Sequence, residues 1–224
     1  MHFDLKNVTV QFDEIPALFD VSCKIADGAS LLLTGPTGAG KTTLLKLLYA
    51  DVLPTQGEVF IAGQKTSALA PKRMRELRRK MGIMFQDAKL MPSLTVYENV
   101  LYPLIIAGYS KREANKRGLE VLADIGVSYV RDKFPRQLSG GEKHLVGLAR
   151  AIINKPECII ADEPTGNVDS ETADKIATIL KRENTRGATV IIATHDPYLA
   201  EHFINGPRLC LYEGTVVGIE KQEL

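Results

Sequence analysis

The amino-acid sequence predicts an α/β fold with a mainly parallel core sheet, an N-terminal antiparallel β layer and an inserted helical lobe. Three observations lead to this prediction. Apolar and polar residues are interleaved near the N-terminus, as in strands with one buried face. Short apolar runs before residue 34 and after residue 157 are typical of parallel strands buried on both faces. The region between them contains helical patterns without strand-like alternation.

Length, composition and charge indicate one main globular domain. The 224 residues are 45% hydrophobic and 25% charged, which is enough for one substantial core. The 28 Lys and Arg residues nearly balance the 27 Asp and Glu residues, so no strong positive field favours nucleic acid, and we expect no nucleic-acid partner.

The cysteines and the apolar segments indicate in which cellular compartment the chain is expected. Cys23, Cys158 and Cys210 lie far apart without metal-ligand spacing, which suits a reducing cytosol. The N-terminus lacks a signal-peptide pattern, and no apolar run approaches the length that spans a bilayer. We therefore expect membrane contact only through a partner.

The predicted antiparallel layer contains three segments. Apolar side chains are interleaved with polar ones in residues 3–12, and residues 21–25 repeat the pattern before an Asp-Gly turn signal. Residues 57–62 form the third predicted strand.

The predicted core sheet has strands at 29–33, 158–161 and 190–193. The first strand leads through a glycine-rich loop into a helical leucine pattern at 44–48. The basic segment 72–80 has no long apolar face and is interpreted as a solvated helix or a linker.

The predicted helical subdomain covers residues 87–136, and residues 1–86 and 137–224 form the core with its β layer. Proline and glycine residues are expected to separate the helices of this lobe. These residues are Pro92, Pro103, Gly108 and Gly126.

A glycine-rich loop ending in Lys-Thr joins the first core strand to the first helix. It matches the phosphate-binding P-loop pattern in full, in the strand and helix context that the pattern requires. Its backbone N–H groups and the helix N-terminus favour phosphate oxygens. We predict ATP and Mg²⁺ as ligands, with Lys41 at the β- and γ-phosphates and Thr42 at Mg²⁺. The residues predicted to bind nucleotide here are Gly35, Pro36, Thr37, Gly38, Ala39, Gly40, Lys41, Thr42 and Thr43.

Two carboxylates follow the apolar strand at 158–161. Asp162 and Glu163 should emerge at the carboxyl edge of the sheet, where open α/β sheets bind ligands. An isolated Asp-Glu pair is often only part of a solvated loop, but beside a P-loop the functional interpretation is favoured. We predict that Asp162 assists Mg²⁺ and that Glu163 polarises the attacking water.

The segment Ser139-Gly140-Gly141-Glu142 has two interpretations. Ser139 and Glu142 have the spacing of a capping box at a helix N-terminus. A capping box does not explain the two glycines, which permit close approach to a phosphate and expose amides at the helix start. The sequence therefore predicts a second anion site at Ser139, Gly140 and Gly141.

These motifs resemble the ABC ATPase family, whose signature motif is the segment 138–142, and the resemblance covers essentially the whole chain. It implies that Gln86 is the glutamine-loop residue, which contacts Mg²⁺ or the attacking water. It implies that His195 is the switch histidine at the γ-phosphate and that Asp169 is the D-loop aspartate. Phe12 occupies the position where the family stacks an aromatic ring on adenine, although a place in the strand core fits it about equally well.

The resemblance also implies an assembly and a location. In the family, ATP lies between Lys41 of one subunit and Ser139 of the other, so we expect a homodimer that forms on ATP binding. An integral membrane partner is implied as well, which places the chain on the cytoplasmic side of the bacterial inner membrane.

Within the family, residues 84–87, 94–100 and 161–167 are similar to the subgroup that contains FtsE, the lipoprotein-releasing cassettes and the MacB-type cassettes. Residues 44–49 and 134–137 favour the FtsE type, a cell-division ATPase whose membrane partner is FtsX-like. Two alternatives remain open at this point: an export ATPase of the lipoprotein-releasing or MacB type, and a soluble ABC-type assembly ATPase without a membrane partner.

Two further expectations concern the helices. Leu145 stands where relatives usually carry an arginine, which puts the usual packing of the signature helix in question. Apolar residues of the lobe are expected to include part of a docking surface for the membrane partner, with the lobe's own core as the alternative. They are Leu90, Met91, Tyr97, Leu101 and Leu104.

Overall fold

Two β-sheets organise the part of the chain that the computed structural model describes, residues 1–13, 15–202 and 206–220. The strands are β1 (Phe3–Phe12), β2 (Ile15–Ile25), β3 (Ser30–Thr34), β4 (Gln56–Ile61), β5 (Gln64–Lys65), β6 (Met81–Met84), β7 (Cys158–Asp162), β8 (Thr189–Ala193), β9 (Arg208–Tyr212) and β10 (Thr215–Glu220). The helices are α1 (Lys41–Leu48), α2 (Pro71–Arg78), α3 (Val96–Ala107), α4 (Lys111–Ile125), α5 (Gly140–Ile152), α6 (Ser170–Thr185) and α7 (Pro197–His202). The predicted fold class is confirmed.

The smaller sheet is the antiparallel layer, with strand order β2-β1-β4-β5. Phe3 pairs with Ile25 of β2 on one side and with Ile61 of β4 on the other, and all three side chains are buried. The interleaved apolar residues therefore form the buried face of this layer.

The larger sheet has the order β10-β9-β3-β8-β7-β6, and its strands from β9 to β6 are parallel. Successive residues of β7 point to opposite faces, so Cys158 and Ile160 join one core while Ile159 and Ala161 join the other. A strand covered on both sides needs an apolar residue at every position, which explains the continuous apolar run.

Each face of the parallel sheet has its own core. The antiparallel layer and α1 cover one face. Helices α3, α4, α5 and α6 cover the other, so the core of the helical lobe is continuous with the sheet. Leu145 is buried in this second core, as an apolar side chain at that position should be.

The ends of the lobe helices follow local chemistry. Thr95 and Ser110 form capping boxes at the starts of α3 and α4, and Gly108 and Gly126 end these helices in the left-handed conformation. Pro103 does not separate two helices, as the sequence had suggested, but lies inside α3. The buried face of α3 holds this helix together despite the N–H group that proline lacks.

Some elements were not predicted. Strand β6 and the β9–β10 hairpin had no clear sequence pattern. For the basic segment 72–80 the helix interpretation is correct, since α2 spans Pro71–Arg78. The lobe boundaries at 87 and 136 stay a prediction, and residue 224 lies outside the described residues. Among those described, no helix combines the length and the hydropathy needed to cross a membrane.

Candidate active site

The predicted catalytic residues meet at one edge of the parallel sheet. Strand β8 lies between β3 and β7, with Ala193 level with Leu33 on one side and with Asp162 on the other. Because the three strands are parallel, their carboxyl ends lie together. The loops that follow them carry the P-loop, the acidic pair and His195.

The P-loop owes its shape to its glycines. Gly38 and Gly40 have φ values of 83° and 99°, a region that residues with a side chain rarely adopt. A Cβ atom at Gly40 would lie 2.6 Å from the carbonyl oxygen of Ala17. Helix α1 begins directly afterwards at Lys41, so its free N–H groups face the loop.

Lys41 is held across this loop. Its side chain is nearly buried, with 8% exposed. The ammonium donates hydrogen bonds to the carbonyl oxygens of Gly35 at 2.7 Å and Pro36 at 3.1 Å. These hydrogen bonds hold the positive charge of Lys41 beside the P-loop backbone, where it can bind an anion.

Thr42 and Asp162 bring a hydroxyl and a carboxylate together from distant parts of the sequence. Thr42 Oγ1 donates to Asp162 Oδ2 at 2.9 Å. Burial raises the pKa of the Asp162 carboxyl, the hydrogen bond from Thr42 acts in the opposite direction, and the neighbouring charge of Glu163 raises the pKa further. Oxygen ligands of this kind, next to a phosphate site, fit Mg²⁺.

Glu163 is almost enclosed, with 7% of its surface exposed. Its backbone has a φ of 45° and is held by a 2.8 Å hydrogen bond from its N–H to the carbonyl oxygen of Ala193. One carboxylate oxygen lies 2.7 Å from Nδ1 of His195, and the other accepts a 3.0 Å hydrogen bond from the Thr194 hydroxyl. A strained backbone that aims a buried carboxylate is common at active sites.

A cavity of about 250 Å³ collects these groups. Among the predicted residues, its lining includes Thr37, Gly38, Ala39, Gly40, Lys41, Thr42, Thr43, Gln86, Asp162, Glu163 and His195. Glu163 and His195 thus share one space with the P-loop. The predicted residues that do not line it are Phe12, Gly35, Pro36, Ser139, Gly140, Gly141 and Asp169.

In the signature segment, residues 138–142, the capping box is present, but it does not account for both glycines. Ser139 caps α5, and the reciprocal contacts with Glu142 complete a capping box. Gly141 has a packing reason, since a Cβ atom there would lie 3.1 Å from the Thr172 hydroxyl oxygen. Gly140 has none of comparable strength, because its nearest neighbour would be the carbonyl oxygen of Asn167 at 3.6 Å. Packing therefore leaves Gly140 unexplained.

Asp169 caps the next helix, α6. Its carboxylate accepts hydrogen bonds from the N–H of Thr172 at 2.9 Å and from the Thr172 hydroxyl at 2.8 Å. These bonds lower the pKa of Asp169. Because Gly141 packs against Thr172, the D-loop position and the signature segment lie side by side, outside the P-loop cavity.

Phe12 lies at the end of β1, opposite Ile15, and 48% of its surface is exposed. The alternative that Phe12 belongs to the strand core is therefore wrong. An exposed ring has a face available for stacking.

Two residues near the site were not predicted. Ala17 lines the cavity, and Thr194 orients Glu163. The only sequence signal for Thr194 was a polar residue directly after an apolar strand and directly before His195.

The comparisons with known proteins agree with this geometry. Residues 18–166 match the family model described as ABC transporter. The cell division ATP-binding protein FtsE of Bacillus subtilis is 42% identical over 182 residues, which cover 81% of this chain and 80% of that protein. FtsE of Escherichia coli K12 is 42% identical over 180 residues, 80% of this chain and 81% of its own.

A solved structure is also similar. It is a dimeric, post-hydrolysis state of the ATP-binding cassette MJ0796 bound to ADP and Pi, with a TM-score of 0.89, 38% identity and 98% of each chain covered. The chain described here belongs to the ABC transporter family and is one of its ATPases.

Proposed function

We propose that this chain is the ATP-hydrolysing subunit of an FtsEX-type cell-division complex, in which two copies close on Mg·ATP and drive an integral membrane partner. The observation that carries the proposal is the shared cavity of Lys41, Thr42, Asp162, Glu163 and His195. The names of its FtsE relatives supply the cellular role.

The residues that line the cavity have different roles in ATP hydrolysis. The P-loop amides and Lys41 bind the phosphates and neutralise their charge. Glu163, which lines the cavity and is held by its hydrogen bond from Thr194, orients the attacking water. His195, which is exposed and anchored through Nδ1, has Nε2 available for the γ-phosphate.

Mg²⁺ would be held by Thr42 and Asp162, with Gln86 at the same cavity. When bound, the ion neutralises phosphate charge and polarises the phosphoryl oxygens. Asp162 favours a cation here, because burial penalises its negative charge and a bound cation would offset that penalty.

Dimer formation follows from the separation of the two anion sites. The cavity around Lys41 is not lined by Ser139, Gly140 or Gly141. We propose that these residues complete the site of a second copy, as the D-loop residue Asp169 beside them would also do. ATP then lies between two subunits, and loss of the γ-phosphate releases them.

A second cavity, of about 310 Å³, is the proposed docking groove for the membrane partner. It is lined by Arg75, Arg78, Arg79, Met81, Gly82, Ile83, Tyr102, Pro103, Ile106, Arg150, Ala151 and Asn154. Apolar walls and several arginines fit a short cytoplasmic segment of the partner that carries both apolar side chains and carboxylates.

The sequence had suggested other residues for this docking surface. Leu101 and Leu104 are buried in the lobe core, so for these two the core alternative holds. Leu90, Met91 and Tyr97 are partly buried and do not line the groove. The exposed apolar residues of α3 that line the groove are instead Tyr102 and Ile106.

The proposal is tested by purifying the tagged chain from detergent-solubilised membranes and identifying the subunit that accompanies it. We expect one integral membrane protein whose depletion blocks cell division, as depletion of this chain should also do. A lipoprotein-releasing or export permease in its place would support the transport alternative. Normal division after depletion, with only soluble proteins recovered, would support an assembly ATPase.

A further inference from the structure

The turn that follows Gln86 has an unusual backbone. Ala88 and Lys89 have φ values of 56° and 40°, so two consecutive residues that carry side chains lie in the left-handed region. Each such residue is unfavourable by itself, and the conformation persists only where surrounding contacts hold it. Ala88 is buried, so the turn is packed into the protein rather than free in solvent.

Helix α5 contacts this turn, which also has two backbone hydrogen bonds of its own, from Ala88 N–H to Phe85 O and from Lys89 N–H to Asp87 O. The guanidinium of Arg150 donates hydrogen bonds to the carbonyl oxygen of Ala88 at 2.5 Å and to that of Lys89 at 2.8 Å. One turn earlier on the same helix face, Gly147 leaves room for the turn, since a Cβ atom there would lie 3.3 Å from Cβ of Ala88. The two hydrogen bonds from the Arg150 guanidinium and the space left at Gly147 together stabilise the strained turn.

Helix α5 is the helix that Ser139 caps. Arg150 is eleven residues further along, which is about 16 Å in a regular helix. The same side chain also lines the proposed docking groove. Arg150 therefore touches the groove and the turn next to Gln86 while it belongs to the helix that starts at the signature segment.

We infer that Arg150 is a positioning residue that ties the backbone beside Gln86 to helix α5, so that Gln86 moves with the signature segment. This role rests on the proposed function, because Gln86 and Ser139 act there on ATP. The contact itself is a property of the chain without nucleotide, so it has a test of its own.

The first test is local hydrogen exchange. In Arg150→Met the helix and the aliphatic stem are kept but both hydrogen bonds are lost. Amide exchange in residues 87–90 should become about tenfold faster or more, because the strained turn opens more often. Arg117→Met is the matched control, since Arg117 Nε donates to the carbonyl oxygen of Ile153, which lies outside this turn. Arg117→Met should leave exchange in residues 87–90 unchanged.

The second test is rescue of catalysis. Arg150→Met should lower kcat for ATP about tenfold and leave KM within about twofold, because the P-loop is untouched. Replacing both Ala88 and Lys89 with Gly removes the strain, since glycine adopts positive φ freely. In the Arg150→Met background these two glycines should restore kcat at least threefold, a gain that a merely structural role of Arg150 does not predict.

The outcomes separate the two proposals. If exchange in residues 87–90 is unchanged in Arg150→Met, or if the glycines restore no activity, the inference is wrong even though the ATPase proposal stands. If the wild-type chain hydrolyses no ATP with its partner present, the proposed function fails, and the exchange result still decides whether Arg150 holds the turn. Should Arg150→Met not fold, Arg150→Lys provides the same comparison, because lysine keeps the charge without the fork.

Discussion

The hydroxyl of Thr194 donates a 3.0 Å hydrogen bond to Oε2 of Glu163, and both side chains are buried. The same hydroxyl accepts a 3.0 Å hydrogen bond from the N–H of Asp196, so its orientation is fixed. Thr194 follows strand β8 and Glu163 follows β7, which makes the hydrogen bond a consequence of strand order. The carboxylate proposed to orient water is thus itself oriented by a neighbouring strand.

Thr194→Val should lower kcat for ATP about tenfold while KM changes by less than about threefold. Valine has nearly the shape of threonine, but the carboxylate loses a hydrogen bond to a charged group, which contributes about 1.5–3 kcal/mol. Thr194→Ser keeps the hydroxyl and should retain most of the activity. Steady-state ATPase assays of the three proteins check this. Equal kcat values for the Val and Ser variants would show that Thr194 does not position Glu163.

Most residues that line the cavity could be predicted from the sequence because they form contiguous motifs. The P-loop and the pair Asp162-Glu163 are each complete within a few consecutive residues, next to a strand with a clear apolar pattern. Thr194 and Arg150 could not be found in this way. Their roles depend on partners 31 and 62 residues away in sequence, and only the packing of strands and helices brings them together.

In the fold, too, elements with a local sequence pattern could be predicted and elements that depend on packing could not. Strands with a clear apolar pattern were predicted, whereas β6 was missed because it is short and contains Gly82. A Cβ atom at Gly82 would lie 2.2 Å from the carbonyl oxygen of Ala151, so helix α5 packs directly on the strand backbone. The contact that requires glycine thus also removes the sequence signal of a strand.

Lys41→Ala should lower ATP turnover about 10²-fold or more, because the phosphates lose a preorganised, nearly buried cation. Thermal stabilisation of the protein by Mg·ATP should fall as well. The control is Lys46→Ala, in the same helix but not among the lining residues of the cavity. Undiminished turnover in Lys41→Ala, measured beside that control, would contradict the assignment of the P-loop.

Asp162→Asn should raise the Tm of the nucleotide-free protein at neutral pH. Burial raises the pKa of this carboxyl, so the folded state binds its proton more tightly than the unfolded state does. The resulting loss of stability is complete above the folded pKa and disappears as the pH falls below the ordinary carboxyl range, about pH 4. The difference in Tm between variant and wild type should therefore shrink towards acid pH.

Scanning calorimetry over this pH range, with and without Mg·ATP, measures both effects of Asp162→Asn. The variant should lose the part of the ATP-induced rise in Tm that depends on Mg²⁺. A variant that is less stable than wild type at neutral pH, or that keeps the full Mg²⁺-dependent rise, would contradict the proposed role of the carboxylate.

Ile106→Glu should prevent recruitment to the membrane while ATP hydrolysis by the purified chain stays within about twofold of wild type. Ile106 is 46% exposed and lines the docking groove, where a carboxylate would disrupt an apolar contact. Its neighbour Ile105 is 60% exposed but does not line the groove, so Ile105→Glu is a closely matched control. Co-sedimentation with membranes that contain the partner distinguishes the variants. Equal recruitment of both would place the docking surface elsewhere.

Glu163→Gln should convert the chain into an ATP-loaded dimer. The amide oxygen of glutamine can still accept a hydrogen bond from one of Thr194 and His195, and the amide NH2 can donate to the other, so the local geometry should persist. The negative charge that activates water is lost, and turnover should fall about 10²–10⁴-fold. Binding of ATP should survive, because Lys41 and the P-loop are unchanged.

The prediction of a dimer follows from the distance between the two proposed phosphate-binding segments, the P-loop and residues 139–141. Ser139, Gly140 and Gly141 do not line the cavity around Lys41, so in the proposed function they reach the phosphates from a second copy. With hydrolysis blocked, the γ-phosphate keeps both copies engaged, and light scattering should report twice the monomer mass in Mg·ATP but not in Mg·ADP. Gly140→Trp in the Glu163→Gln background should remove the ATP-dependent dimer, because the large side chain blocks approach to the phosphate. A Glu163→Gln protein that stays monomeric in saturating Mg·ATP, even with the membrane partner added, would refute the shared site.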